Sequence, residues 1–188
     1  YPMKYKYNKL FLDNLSIDKI IKDYGTPTYC YSYNKIKQNI LNFKKNFKDI
    51  NPLSCFAVKA NNNIKILSEI KKLGFGADVV SKGELMAAIK AKIDPKKIVF
   101  SGVGKTYEEL EFAIQKKILL INTESHSEIE NILRIAKKIN RAVNIGIRLN
   151  PNVDARTIKE ISTGKNSNKF GLSSKGIIDQ IQKYKKNK

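Results

Sequence analysis

From about residue 28 onward, apolar and polar positions along the chain switch between two periods. Short stretches of period two predict strands, and longer ones with apolar residues three and four apart predict helices. Residues 28–33 predict a first strand, and Asn34 is placed to cap a helix with Ile36, Ile40, Leu41 and Phe43 on one face. Residues 53–59 predict a second strand and 64–73 a second helix, closed by Gly74 at its C-cap. A third strand at 77–80 leads to a helix at 83–92, and Pro95 marks the link to a fourth strand at 98–101. Thr106 caps the next helix, with Glu109 spaced to complete a capping box. Residues 119–122 predict a fifth strand, and Ser125 or Ser127 starts a helix running to Lys138. A sixth strand at 143–150, a polar loop at 154–169 and an amphipathic helix at 173–184 complete the pattern. Residues 1–25 stand outside this rhythm, with a strand at 5–12 and a short helix.

The sixth strand separates two architectures. Val143, Ile145, Ile147 and Leu149 share one face, whereas Asn144, Gly146, Arg148 and Asn150 share the other. A parallel strand covered on both faces reads as almost continuous hydrophobics. A barrel strand instead packs one face on helices and turns the other to an interior that becomes polar near the active end. The expected fold class is therefore α/β, a (β/α)8 barrel. Units repeating at roughly 25 residues fit a complete barrel of about 250 residues, of which about six units are represented here. The expected organisation is an N-terminal extension over residues 1–25 and a partial barrel over residues 26–188.

Composition then narrows the function classes. The 188 residues include 36 Lys and Arg against 17 Asp and Glu, a formal net charge of +19. Such an excess invites a polyanionic partner. Its distribution argues otherwise, because the lysines are scattered through the polar gaps of predicted helices, as in Ile64-Lys65-Ile66 and Ile70-Lys71-Lys72-Leu73. Only Arg134, Arg141, Arg148 and Arg156 are arginines, and the aromatics are not interleaved with basic residues as a base-stacking platform requires. No nucleic-acid partner is expected. Cys30 and Cys55 lie in apolar strand-like runs and read as buried, reduced thiols without metal-ligand spacing. His126 opens a predicted helix and reads as exposed. No apolar run approaches the ~18 residues of a membrane span, and no signal segment is evident. A cytoplasmic protein is expected, and the start at Tyr1 fits a trimmed beginning.

In a barrel, catalytic groups belong at the C-terminal ends of the strands. Those ends carry Lys59, Asp78, Ser101, Thr123–Glu124 and Arg148–Asn150, a polar cluster where the core would otherwise continue. Lys59 shares a strand face with the small residues Cys55 and Ala57, opposite Phe56 and Val58, and is expected to point into the barrel mouth. Desolvation there favours the free amine, the form that attacks a carbonyl. Two other motifs fail. Gly104-Lys105-Thr106 lacks the first glycine of a phosphate-binding loop, since position 99 is Val99. Gly74-Phe75-Gly76 lacks the third glycine of a dinucleotide fingerprint, and it precedes a strand.

Phe56-Ala57-Val58-Lys59-Ala60-Asn61 resembles the lysine motif of the pyridoxal-phosphate-dependent, barrel-type amino-acid decarboxylases and alanine racemase relatives. The stretches at 76–85, 99–106, 122–125, 148–151 and 161–164, with Lys169-Phe170-Gly171, narrow the likeness to the diaminopimelate decarboxylase family, in order along the whole chain. The resemblance implies decarboxylation of meso-2,6-diaminopimelate to L-lysine by an enzyme that is a homodimer when full length. Lys59 would bind pyridoxal 5'-phosphate as a Schiff base. Asp78 would lie close to Lys59, Arg148 would reach the cofactor ring hydroxyl, and the loop with Ser162-Thr163-Gly164 and Lys169 would cover the site. Asp78 and Arg148 read equally well as an ion pair across the barrel mouth. Family members continue into a ring-stacking histidine, a glycine-rich phosphate loop, an acidic residue on the ring nitrogen and a C-terminal β domain against which residues 1–25 would pack. None of these occurs here, so the chain is expected to be an N-terminal portion that is inactive alone. The alternatives are a decarboxylase of carboxynorspermidine, ornithine or arginine, and a non-catalytic cofactor-binding remnant.

Overall fold

A computed structural model describes residues 2–50, 52–153 and 170–185. The chain forms two compact units, one of residues 1–52 with Lys72–Gly74, the other of Leu53–Lys71 and the residues from Phe75 onward.

In the first unit, β1 (Met3–Lys6) and β2 (Lys9–Leu12) form an antiparallel hairpin in register Lys6↔Lys9. Tyr7 and Asn8 both have positive φ, the signature of the tight turn whose twist suits a two-residue hairpin. The expected single strand over 5–12 is thus split by a turn that its composition conceals, since Tyr7 is a poor candidate for left-handed backbone. β3 (Leu15–Ser16) pairs with β2, and Ser16 caps α1 (Ile17–Tyr24). The first expected barrel strand, residues 28–33, does not form: Tyr29 is 92% exposed and Tyr31 59%. Aromatic and β-branched residues supply propensity, but a strand exists through ladder hydrogen bonds, and none is made by 28–32 among the described residues. Cys30, expected to be buried in that strand, is therefore exposed. Ser32, rather than Asn34, caps α2 (Tyr33–Asn46), accepting from the Lys35 N–H at 3.0 Å and donating its hydroxyl to Asp13 at 2.7 Å.

The second unit carries β4 (Cys55–Ala57), α3 (Ile64–Lys72), β5 (Gly76–Val79), α4 (Lys82–Lys90), β6 (Ile98–Phe100), α5 (Tyr107–Gln115), β7 (Leu120–Thr123), α6 (His126–Lys138), β8 (Ile145–Ile147) and α7 (Ser174–Lys185). The five strands are parallel and pair in chain order, β4-β5-β6-β7-β8. Order without reversal is that of a barrel wall, whereas a doubly wound sheet reverses at a switch point. The expected α/β class holds, with five paired strands among the described residues where six were anticipated. Val58 after β4 and Ala77, Val79, Ile98, Phe100 and Ile121 from β5 to β7 are buried in one core with Leu67, Leu85, Leu110 and Ile132 from α3 to α6. The other face of the sheet carries Cys55, Ala57, Asp78, Val99, Leu120, Asn122 and Gly146, so that it turns from apolar to polar toward the strand ends. No helix among the described residues is long and apolar enough to cross a membrane.

Three strand-to-helix turns are closed in the same way. Ser81, Thr106 and Ser125 cap α4, α5 and α6, each accepting from the N–H of a glutamate three residues on: Glu84, Glu109 and Glu128. Each glutamate turns back to the entering backbone, at the N–H of Val80, Thr106 and Glu124 respectively. Glu109 also accepts from the Lys82 N–H at 2.9 Å, tying the start of α5 to the start of α4. Burial pushes the Glu109 pKa up, but the N–H groups of Thr106 and Lys82, the Thr106 hydroxyl and the nearby Lys105 ammonium outweigh it and hold the carboxyl below its ordinary value.

Loss of this clamp in Glu109→Ala is expected to cost about 1 kcal/mol of stability in denaturant unfolding. Because the folded pKa is depressed, the contribution is complete above the unfolded glutamate value and is lost as pH falls through the folded one. The gap between wild type and variant should therefore close on acidification; a gap that persists or widens at low pH would contradict the assignment.

Candidate active site

Strand register sets which side chains meet on the inner face. Ala57, Asp78 and Val99 lie level across β4, β5 and β6, and Asn122 lies level with Gly146 across β7 and β8. The Ser101 hydroxyl donates to Asp78 Oδ1 at 2.6 Å, and the Asn122 amide donates to Ser101 Oγ at 3.1 Å. Three adjacent strands are thus joined by one polar relay. Gly146 makes room for it, since a Cβ at that position would collide with Asn122 Oδ1.

One layer further toward the C-terminal edge, Arg148 Nη1 donates to Glu124 Oε1 at 3.0 Å. The guanidinium also lies 5.0 Å from the Phe170 ring centre, a cation–π contact. Glu124 is 5% exposed, and its Oε2 is buried without a partner among the described residues. A cavity of about 350 Å³ opens here, lined by Ser101, Asn122, Glu124, Gly146, Ile147 and Arg148. Larger clefts beside Asp13 and Gln38, and at the opposite edge of the sheet beside Lys96 and Arg141, have no comparable convergence of strand-end side chains.

Lys59 sits where the strand pattern breaks. β4 ends at Ala57, and residues Val58–Ala60 form a 3-10 turn. Val58 points into the core as its alternation requires, while Lys59, expected to be desolvated in the barrel mouth, is exposed at the C-terminal edge because the turn takes it out of the strand's alternation, and it makes no hydrogen bond or ion pair with a described residue. The structure thus brings Asp78 into the Ser101–Asn122 relay, pairs Arg148 with Glu124 rather than with Asp78, and leaves the Lys59 amine free of described partners. His126 is exposed, as anticipated, whereas Cys55 is half-buried rather than fully buried. The expected cover loop at 154–169 lies outside the described residues.

The motif reading passed over Lys105 and Glu128. Lys105 enters the sequence analysis in a failed phosphate loop and in the 99–106 stretch with no role of its own, yet its ammonium is buried against Glu128 at 2.7 Å and the carbonyls of Gly102 and Asn122. The Ser125-to-Glu128 spacing, identical to that of Thr106 and Glu109, was the available signal for the glutamate.

These features define a barrel-wall α/β protein with an amine, a carboxylate relay and a guanidinium gathered at the C-terminal ends of its strands, the class in which such ends carry catalysis. The chain belongs to the pyridoxal-dependent decarboxylase family, whose pyridoxal-binding domain matches residues 33–188. It is 47% identical to the diaminopimelate decarboxylase of Helicobacter pylori strain J99 over 169 residues, 90% of this chain and 42% of that protein. It is similar to the crystal structure of Helicobacter pylori diaminopimelate decarboxylase complexed with L-lysine, at TM-score 0.85 and 45% identity over 90% of this chain and 43% of that one. The M. jannaschii diaminopimelate decarboxylase matches at TM-score 0.88 and 36% identity over 97% of this chain and 44% of that one. The chain therefore spans less than half the length of these relatives. The residues present fit the cofactor named by the family. Small neighbours at Cys55 and Ala57, a polar relay, and an amine and a buried carboxylate oxygen that have no partner among the described residues are donors and acceptors such a group can use.

Burial first, and then the Asp78 charge, push the Cys55 thiol pKa up. Cys55 is expected to alkylate slowly at neutral pH relative to exposed Cys30, and faster in Asp78→Asn, where the carboxylate charge is gone. Unchanged Cys55 alkylation in that variant would show that Asp78 does not face it.

Proposed function

We propose that the protein carrying this chain is a pyridoxal-phosphate-dependent decarboxylase that converts meso-2,6-diaminopimelate to L-lysine and CO2. We further place it in the cytoplasm as a homodimer, with residues 1–25 docking on a C-terminal β domain and residues 26–188 forming part of the barrel. What carries the reading is the Lys59 amine, exposed and without a described partner at the C-terminal edge of a barrel wall. Ordered sequence likeness to diaminopimelate decarboxylases supports the substrate.

Lys59 would hold the cofactor covalently through its amine. Pyridoxal phosphate, when bound, supplies the electron sink for the pair of electrons left as the carboxylate departs. Asp78, fixed by the Ser101 hydroxyl, places a carboxylate on the strand next to the one that leads to Lys59. Arg148, held by Glu124 and stacked on Phe170, offers a guanidinium to the ring hydroxyl. Both groups are oriented before anything binds, which spares their ordering at the moment of reaction.

Purified holoenzyme of the full-length protein should release CO2 from meso-diaminopimelate in preference to ornithine, arginine or carboxynorspermidine, and preference for one of those would reassign the substrate. Lys59→Ala should lose both the visible absorption of bound cofactor and the activity. Retention of that absorption would remove the central assignment. The 188-residue chain alone should release no CO2, and measurable turnover by it would show that the parts of its relatives it does not span are dispensable.

A further inference from the structure

Of the ion pairs among the described residues, Lys105–Glu128 is the one withdrawn from water on both sides, with side chains 1% and 7% exposed. The others leave at least one partner substantially exposed. Neither Lys105 nor Glu128 has a part in the function proposed above. Burying such a pair gains little net stability, because desolvation offsets most of the attraction. Its geometry is more telling than its energy.

The Lys105 ammonium has three hydrogens and three acceptors: Gly102 O at 2.6 Å, Asn122 O at 2.7 Å and Glu128 Oε1 at 2.7 Å. One side chain thereby joins the loop after β6, the end of β7 and the first turn of α6. Glu128 spends its other oxygen on the backbone N–H of Glu124 at 3.0 Å. In the equivalent caps of α4 and α5 the glutamate bonds backbone N–H or the capping hydroxyl, and neither takes a buried cation.

Glu124 is the residue that holds Arg148. Its Oε1 accepts from the guanidinium while its Oε2 has no described partner, so among the described residues no second hydrogen bond of its own fixes the carboxylate. What fixes it is its backbone, pinned by Glu128, which Lys105 in turn holds. We propose that Lys105 and Glu128 are positioning residues that act through Glu124 to aim Arg148 at the cofactor. The cluster holds two carboxylates and two cations, so it is neutral within itself and the guanidinium reaches the cavity already paired. This inference rests on the reading of Arg148 as a cofactor contact.

A double-mutant cycle on the full-length protein tests it, read as the dissociation constant of pyridoxal phosphate from the apo-protein and the position of the bound absorption band. Arg148→Ala should weaken binding and shift the band. Lys105→Met should weaken binding about tenfold, a coupling within the range for residues of one hydrogen-bonded network. In the Arg148→Ala background, Lys105→Met should add nothing further. Equal losses in both backgrounds would overturn the proposal, since Lys105 would then act independently of Arg148. No effect of Arg148→Ala would overturn it together with the Arg148 assignment, while the Lys59 reading would stand on its own absorption test. Should Lys105→Met fail to fold, Glu124→Gln serves in the same cycle with the buried pair intact. Unchanged binding in Glu124→Gln, alongside a loss in Arg148→Ala, would equally overturn the proposal.

Discussion

At three successive strand-to-helix turns a glutamate folds back from the first helical turn onto the backbone that leads into it. The free N–H groups of a helix start need acceptors, and in a barrel those starts stand at the C-terminal edge of the sheet. Satisfying them locally does more than stabilise a helix. It holds rigid the short loops in which Ser101, Lys105 and Glu124 are placed, and so holds the rim on which the candidate chemistry depends.

The two faces of the sheet divide the remaining work. Val79, Phe100 and Ile121 go into the core with the helices, so the residues alternating with them are released from packing. That freedom allows Asp78, Ser101 and Asn122 to bond across three strands in place of continuing an apolar layer. A small residue is needed where the relay comes closest to backbone, and Gly146 meets that need. Polar side chains on a sheet face are costly unless they satisfy one another, and these do so at the end where a ligand would enter.

Much of the second unit was legible in the chain. The helix caps at Thr106 and Ser125 and the apolar faces of the helices are local signals, and each appears in the structure close to its expected place, whereas the strand expected over 143–150 is confined to Ile145–Ile147, with Leu149 exposed and Asn150 buried. The first unit was harder to read. Residues 28–33 carry strong strand propensity, yet propensity cannot supply a partner: 28–31 stay exposed outside any strand, and Ser32 and Tyr33 open α2 instead. The hairpin turn at Tyr7-Asn8 lacks the glycine that normally announces left-handed backbone. At the site, Asp78, Ser101, Glu124 and Arg148 were all recognisable as strand-end polar residues, but their pairing was not. Arg148 joins Glu124 because β7 and β8 are neighbours in register, a fact of strand pairing rather than of composition.

The sequence by itself determined the alternation of strands and helices in the second unit, the polar strand ends on one sheet face and the pyridoxal-decarboxylase likeness, and it offered Lys59 as the candidate among many lysines. Periodicity, caps and motifs act over a few residues, so they can be read along a line. Only the tertiary structure decided that Lys59 sits on a turn beyond its strand, that Asp78 belongs to a serine–asparagine relay, and that Lys105 is a buried, fully bonded ammonium rather than one more surface charge. Those outcomes depend on which strands lie side by side and which loops meet at the rim. Burial and pairing are properties of that arrangement, brought about by residues 17 to 24 positions apart in the chain.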